Sequence, residues 1–361
     1  MSKKKTKRNH FISKVYLKQW IQPQRNYVYG YDLLTDKFLR SSHNVKQTEL
    51  HLNDRKFWGE KIYNQHFEDE LSGLESNYES WIKHIDLYYE HGNLFINNID
   101  NIDTQIVTKN LEKVSVEIIV FLFIQWIRMP NTDNRHFLFN IFKDLFLKSD
   151  CEWQMLSANE YVILNCGTDQ EHKIFSCYDD DKKRFEYVFN YIDEEKIKNI
   201  TTNNYIVQIA RNHRNNFFTS THPIVPNIIQ RNNEPRIIGV TMALSPRYIF
   251  RIIKKSEVGL VNIPKFVLPV DMKDENLEDK INLELISYNL NDNIIYGDNA
   301  YISQFLVKYN KSIQKTKIRA EQTISTIKNK NLDDTFIVYE DDYNFQEISR
   351  DAKCVKNVND I

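Results

Sequence analysis

Between Ile118 and Ile127 the chain reads IIVFLFIQWI, ten residues that leave a helix no polar face except at Gln125. A membrane span needs about twenty such residues, so this segment predicts a buried core helix that other elements must surround. It closes a stretch running from about Asp103 to Arg128, stopped by Met129-Pro130, because proline lacks an N–H and disfavours helix in the residue before it. Upstream, Trp58, Ile62, Phe67, Leu71, Leu74, Tyr78, Trp81 and Ile85 step mostly by three and four. That spacing predicts a long amphipathic helix from Arg55 to about Ile85, with Gly73 as a bend and His91-Gly92 closing the segment. Downstream, Thr132-Asp133 caps a third helix carrying Phe137, Leu138, Ile141, Phe142, Leu145 and Phe146 on one side.

The N-terminal stretch Asn9 to Trp20 has the spacing of a short helix, and Tyr27 to Asp32 with Lys37 to Arg40 reads as a hairpin. After Asp150 the character changes. Strand-like runs occur at Glu160 to Asn165, Arg184 to Tyr191, Asn216 to Ser220, Ile237 to Met242 and Tyr248 to Ile253, and helices return at Glu275 to Asn289 and Asn299 to about Lys328. The expectation is an α+β fold, with a mainly helical N-terminal half (about 1–150) packed against a mixed, largely antiparallel sheet in the C-terminal half (about 151–340). Without a repeat or a Pro- or Gly/Ser-rich linker, residues 1–340 read as a single domain, followed by a polar tail at 341–361.

Charge and motif content narrow the function classes. Lys+Arg 48 against Asp+Glu 49 leave a net charge of -1, so any polyanion site must be a local patch. Aromatic residues make up 13% and glycines number only 8, which argues against glycine-rich cofactor loops. No Walker loop, dinucleotide glycine fingerprint, His-Glu-x-x-His or Gly-x-Ser-x-Gly elbow occurs, so no cofactor is expected. Cys151, Cys166, Cys177 and Cys354 form no Cys-x-x-Cys pair, which predicts free thiols and no metal site. The N-terminal MSKKKTKR is followed by no apolar stretch of the secretory kind, and the expectation is a cytoplasmic protein with no membrane contact. Pro269-Val270-Asp271 before Glu278-Asp279-Lys280 imitates the metal-binding pattern of restriction-type nucleases, but Glu275 to Lys280 reads as a helix start rather than a strand. Asp179-Asp180-Asp181 reads as a solvated turn.

A dispersed polar set carries more chemistry. His10 precedes the first helix, Arg128 ends the apolar one, and Phe218-Thr219-Ser220-Thr221-His222-Pro223 ends a strand with three hydroxyls and an imidazole. Leu244-Ser245-Pro246 follows another strand. Each has an ordinary structural role open to it, as a cap, a helix C-terminal cation or a hydrogen-bonded turn. Their order along the chain, beginning with His10-Phe11, Tyr16-Leu17, Trp20 and the Tyr27 to Asp32 strand, resembles the bacterial family called domain of unknown function 4238. The Tyr63 to Glu75 helix with Glu70, the Gln125 to Pro130 helix end, Phe218-Thr219-Ser220, Leu244-Ser245-Pro246 and the Asn289 to Ala300 segment continue the likeness to about residue 305. The chain departs from the family pattern at Ser13, where proline is usual, and at Thr221-His222, where an Asp-Asn pair is usual. The resemblance implies a bacterial cytoplasmic protein and supplies no reaction.

Two functions remain open. In the first, the chain is a metal-independent nuclease in a defence-type setting. His10 and His222 act as base and acid, Arg128 grips the phosphate, and Thr219, Ser220, Arg211, Arg214 and Tyr16 bind a nucleic-acid substrate. In the second, the same residues recognise a polyanion or a protein partner without turnover. The first requires His10, Arg128 and the Thr219 to His222 turn to meet in one pocket. The sequence leaves homo-oligomerisation open.

Overall fold

A computed structural model describes residues 13–21, 27–33, 37–42, 72–95, 102–128, 152–157, 160–164, 173–176, 194–220, 223–231, 234–258, 267–287, 294–310 and 313. Their order is α1 (Lys14–Leu17), running into a 3-10 turn (Lys18–Trp20), β1 (Tyr27–Asp32), β2 (Lys37–Ser42), α2 (Tyr78–Phe95), α3 (Ile102–Arg128), β3 (Glu152–Ser157), β4 (Glu160–Leu164), β5 (Lys173–Ser176), α4 (Glu194–Asn204), β6 (Tyr205–Asn212), β7 (Thr219–Ser220), β8 (Ile224–Arg231), β9 (Glu234–Ala243), β10 (Tyr248–Lys254), β11 (Val267–Met272), α5 (Glu275–Ser287) and β12 (Ile294–Tyr296). A last helix, α6, covers 299–310. The fold is α+β, with helices leading and a mixed, mostly antiparallel sheet following.

The five-stranded sheet has the order β11-β6-β10-β9-β8. β11 runs parallel to β6 and the other pairs are antiparallel. Its edge strands contain Pro269 and Pro226, as expected for a residue that cannot donate to a ladder on both sides. A four-stranded antiparallel sheet, β2-β1-β12-β7, joins the N-terminal hairpin to two short C-terminal strands, and β3-β4-β5 form a third sheet. Gly239 on β9 lies against β10 so closely that a Cβ there would meet the Ile252 carbonyl oxygen at 1.9 Å.

Both faces of the five-stranded sheet are covered. On one, α2 reaches across the parallel pair. The Tyr89 hydroxyl donates to the Ile209 carbonyl at 2.5 Å and accepts the Val270 N–H at 3.0 Å, while its ring stacks on Tyr248 with centroids 5.7 Å apart. The core segment of α3 behaves as its composition requires, with Ile118 to Phe123 all buried. The side chains of Ile124 and Trp126 lie outside the described set. On the other face Arg251 stands opposite both Gln208 and Thr241. α5 lays Glu284 over this row, where it accepts from the Arg251 guanidinium at 3.2 Å and from Asn227 Nδ2 at 2.8 Å. The network is almost dry, with Arg251 1% exposed and Glu284 9%.

The sequence expectations meet this structure unevenly. The hairpin, α3, β4, β9, β10 and α5 fall where patterning places them. The helix expected to close at His91-Gly92 continues to Phe95, because one glycine costs a helix only about 1 kcal/mol. The Asn216 to Ser220 run pairs only at Thr219 and Ser220. The Arg55 to Leu71 part of the first amphipathic helix, the helix from Thr132, the Arg184 to Tyr191 strand, the four cysteines and the 341–361 tail lie outside the described residues. No helix among the described residues is long and apolar enough to cross a membrane.

The Arg251–Glu284 pair yields a stability test. Glu284→Leu strands a buried guanidinium and lowers unfolding free energy by about 3–5 kcal/mol, whereas Arg251→Met combined with Glu284→Leu returns most of it. Urea denaturation of the three chains checks both outcomes.

Candidate functional site

The site begins where the N-terminal aromatics dock. α1 is too short to stand alone, and aromatic side chains of α1, the 3-10 turn and α2 donate to backbone acceptors at the end of β9 and at Phe217. The Tyr16 hydroxyl donates to the Ala243 carbonyl at 2.7 Å, Tyr78 to the Leu244 carbonyl at 2.6 Å, and Trp20 Nε1 to the Phe217 carbonyl at 2.9 Å. With its proton committed to Ala243, the Tyr16 oxygen accepts the Thr219 hydroxyl proton. Burial pushes the Tyr16 hydroxyl far above its ordinary titration range, against the smaller opposing effect of Thr219. It therefore stays protonated and serves as a strut rather than an acid or base.

The turn that receives the Tyr78 donor is Leu244-Ser245-Pro246. Ser245 Oγ accepts the N–H groups of Arg247 and Tyr248 at 3.1 and 3.2 Å, and the Pro246 carbonyl accepts the Phe217 N–H at 3.0 Å. β7 then pairs with β12, Thr219 opposite Tyr296 and Ser220 opposite Ile295, and β12 pairs with β1. Ser13 offers its N–H to Gln125 Oε1 at 3.4 Å, tying the start of α1 to the last turns of α3. Segments that stand far apart in the chain and carried the family likeness thus share one buried junction.

Of the residues singled out as catalytic, His10, His222 and the Arg128 side chain lie outside the described set, as does Thr221. Tyr16, Thr219 and Ser220 are together at the junction and buried, at 0%, 1% and 2% exposure. Arg211 and Arg214 lie at and just beyond the carboxyl end of β6, where Arg211 stands opposite Tyr248 beside the β9–β10 turn and opposite Asp271 on β11. Arg211 forms a bidentate pair with Asp271 at 2.8 and 2.9 Å and stacks on Tyr89, its guanidinium carbon 4.5 Å from the ring centre. His213 Nε2 shares the Asp271 carboxylate at 2.8 Å. Arg214 contacts Glu278 closely, with Glu275 at 3.2 Å and Asp279 at 3.3 Å. Both guanidinium groups thus have carboxylate partners, which offsets the attraction either exerts on a phosphate.

These carboxylates divide by environment. Burial raises Asp271, Asp279 and Glu278, but for Asp271 it is outweighed by the Arg211 pair and His213, and for Asp279 by Lys308, Tyr301 and Tyr309, so both finish below the ordinary range. At Glu278 burial outweighs Arg214 and the carboxyl finishes above it. Glu278 and Asp279 sit on a helix, in keeping with the sequence, because Asp274 caps α5 through the Asn276 N–H at 2.9 Å. No group of three or more His, Cys, Asp or Glu side chains among the described residues is arranged to hold a metal ion.

Asn282 was missed by sequence reasoning. Fully buried on α5, it accepts the Phe218 N–H at 2.9 Å and donates to the Asn216 carbonyl at 3.0 Å. The available signal was an amide between Ile281 and Leu283 on a helix that buries an apolar stripe. His213 and Asp271 were missed as a pair because they meet only through the parallel register of β6 and β11.

Comparisons with family models, with curated proteins and with solved structures return no match. The likeness to domain of unknown function 4238 therefore rests on the motifs quoted above.

Two measurements check this geometry. Tyr16→Phe removes the hydroxyl that serves both Ala243 and Thr219 and should cost about 1–3 kcal/mol in urea denaturation, with little change in far-ultraviolet circular dichroism. For Asp271, a lowered folded value means that its contribution to stability is present above the unfolded carboxylate value near about 4 and is lost as pH falls through the lower folded value. The stability deficit of Asp271→Asn should therefore be largest near neutral pH and shrink below about pH 4, as read from melts across that range.

Proposed function

We propose that the chain is a metal-independent phosphodiesterase acting on nucleic acid, with its reacting groups carried by the residues that flank the Tyr16–Thr219 junction. The observation that supports this is the meeting of three remote segments. Ser13, three residues after His10, touches Gln125, and Arg128 lies about 4.5 Å further along the axis of the same helix. Tyr16 touches Thr219, three residues before His222. Three residues of chain reach at most about 11 Å, and the reading takes His10, Arg128 and His222 to act beside that junction.

The chemistry follows from the residue types. Arg128 would hold two non-bridging phosphate oxygens through its planar fork and balance the charge that grows on them. One imidazole would take the proton of the attacking hydroxyl as the new P–O bond forms. The other would protonate the leaving oxygen as the old bond breaks. Tyr16 and Thr219 bond to each other inside the protein, and in this reading they support the site instead of gripping substrate.

The second reading is recognition of a polyanion or partner without turnover; the ion pairs of Arg211 and Arg214 with this chain's own carboxylates weigh against the polyanion and leave a protein partner. Incubation with single-stranded RNA and DNA, with and without chelator, separates the two. The nuclease reading expects cleavage that survives chelation. It also expects His10→Ala, His222→Ala and Arg128→Ala each to lower the rate at least about a hundredfold while the proteins stay folded. Binding of either polymer with no products would support recognition alone.

A further inference from the structure

On the face of the five-stranded sheet that α5 covers, a buried threonine has a proton to spare. Thr241, fully buried on β9, accepts from Asn227 Nδ2 at 2.6 Å and from Arg251 Nε at 3.2 Å. A hydroxyl oxygen has two acceptor lone pairs. Both are taken, so the Thr241 proton points at neither neighbour, and among the described residues no acceptor receives it. Asn227, 2% exposed, has the complementary lack. Its Nδ2 also donates to Glu284 Oε1 at 2.8 Å, which commits both amide protons, while its Oδ1 meets no donor among the described residues. Turning the amide round would supply none, since the oxygen would then face the Glu284 carboxylate. An open donor and an open acceptor thus stand on two side chains that touch. Gln208 Oε1, on the residue opposite Arg251 in the ladder, is a further open acceptor in the same row. Buried polar groups are seldom left in this condition.

We propose that this network binds one internal water molecule, which accepts the Thr241 proton and donates to Asn227 Oδ1. The surrounding charges select a neutral ligand. Arg251, 1% exposed, hydrogen-bonds to Thr241 and to Glu284. A cation at this position would meet the buried guanidinium, and an anion would meet the Glu284 carboxylate and the Asn227 oxygen. The ligand must also be donor and acceptor at once, and small enough to lie between a sheet and the helix packed on it. Water has that chemistry, and a buried water makes about three hydrogen bonds to groups of this kind. Its second proton goes to the Glu284 carboxylate, whose two oxygens offer about four acceptor positions. The occupied site joins β8, β9 and α5 through one molecule, and its occupancy does not depend on the nuclease reading.

A crystal structure of the full-length chain, at a resolution that shows ordered solvent, tests the assignment. A water is expected within about 2.5–3.2 Å of both Thr241 Oγ1 and Asn227 Oδ1. A position without density, or one filled by a protein side chain, overturns the proposal. So does an anomalous peak there after soaking in rubidium or bromide, which would mark an ion. In solution, oxygen-17 relaxation dispersion counts the waters that stay bound for longer than the protein takes to tumble. The nearly isosteric Thr241→Val removes the hydroxyl and should lower that count by at least one relative to the parent. An unchanged count in the folded variant overturns the proposal, and should the variant fail to fold, the parent crystal decides alone.

Discussion

Aromatic side chains reaching for backbone carbonyls hold this structure together at its decisive point. Where β9 ends and β10 begins, and again at Phe217, carbonyl groups are left without ladder partners, and such groups cannot be buried without cost. Tyr16, Tyr78 and Trp20 meet them with one donor each. Each also brings a large apolar body, and Tyr16, Tyr78, Trp81 and Phe121 pack ring against ring at 5.4 to 6.4 Å. One set of residues thus ends the hydrogen-bonding deficit of the sheet, builds the core around α3 and fixes the N-terminal helix. The composition, rich in tyrosine and poor in glycine, is what this arrangement needs.

The opposite face of the sheet is held in a different way. α5 buries Glu278, Asp279, Asn282 and Glu284 alongside Leu277, Ile281 and Leu285. Polar groups in such a place are tolerated because each meets a partner of matching chemistry: a guanidinium, a backbone amide, a tyrosine hydroxyl. The apolar packing on the α2/α3 face supplies cohesion without direction. The polar contacts of α5 supply direction, fixing the path of residues 212–220 between two sheets and hence where β7 ends.

What the sequence disclosed follows from how local each signal is. The core role of Ile118 to Phe123 was legible because ten residues with Gln125 as their one polar side chain leave a helix no other place to go. β9 and β10 were legible from alternation and β-branched content. β8 and β11 escaped because Pro226 and Pro269 interrupt their patterns, and only the finished sheet shows that both strands lie at edges where proline is harmless. β12 is three residues long, and its partners β1 and β7 are remote, so nothing local marks it. In the candidate site, Tyr16 and Thr219 touch and both are buried with Ser220, which suits them to support and not to contact with a substrate. Arg211 and Arg214 were grouped with them on charge, and the structure pairs both with carboxylates, Asp271 on β11 and Glu278 on α5. Those pairings depend on register and on the docking of α5, which composition does not encode.

The central proposal is that His10, His222 and Arg128 act together on one phosphate. Proton NMR of the full-length chain titrated with inorganic phosphate tests it most directly, through the ring resonances of His10 and His222 assigned by single substitution. The account predicts that both resonances shift along one binding curve with a common midpoint, and that Arg128→Ala removes the response of both. Shifts with separate midpoints, or a response from one imidazole alone, would contradict it.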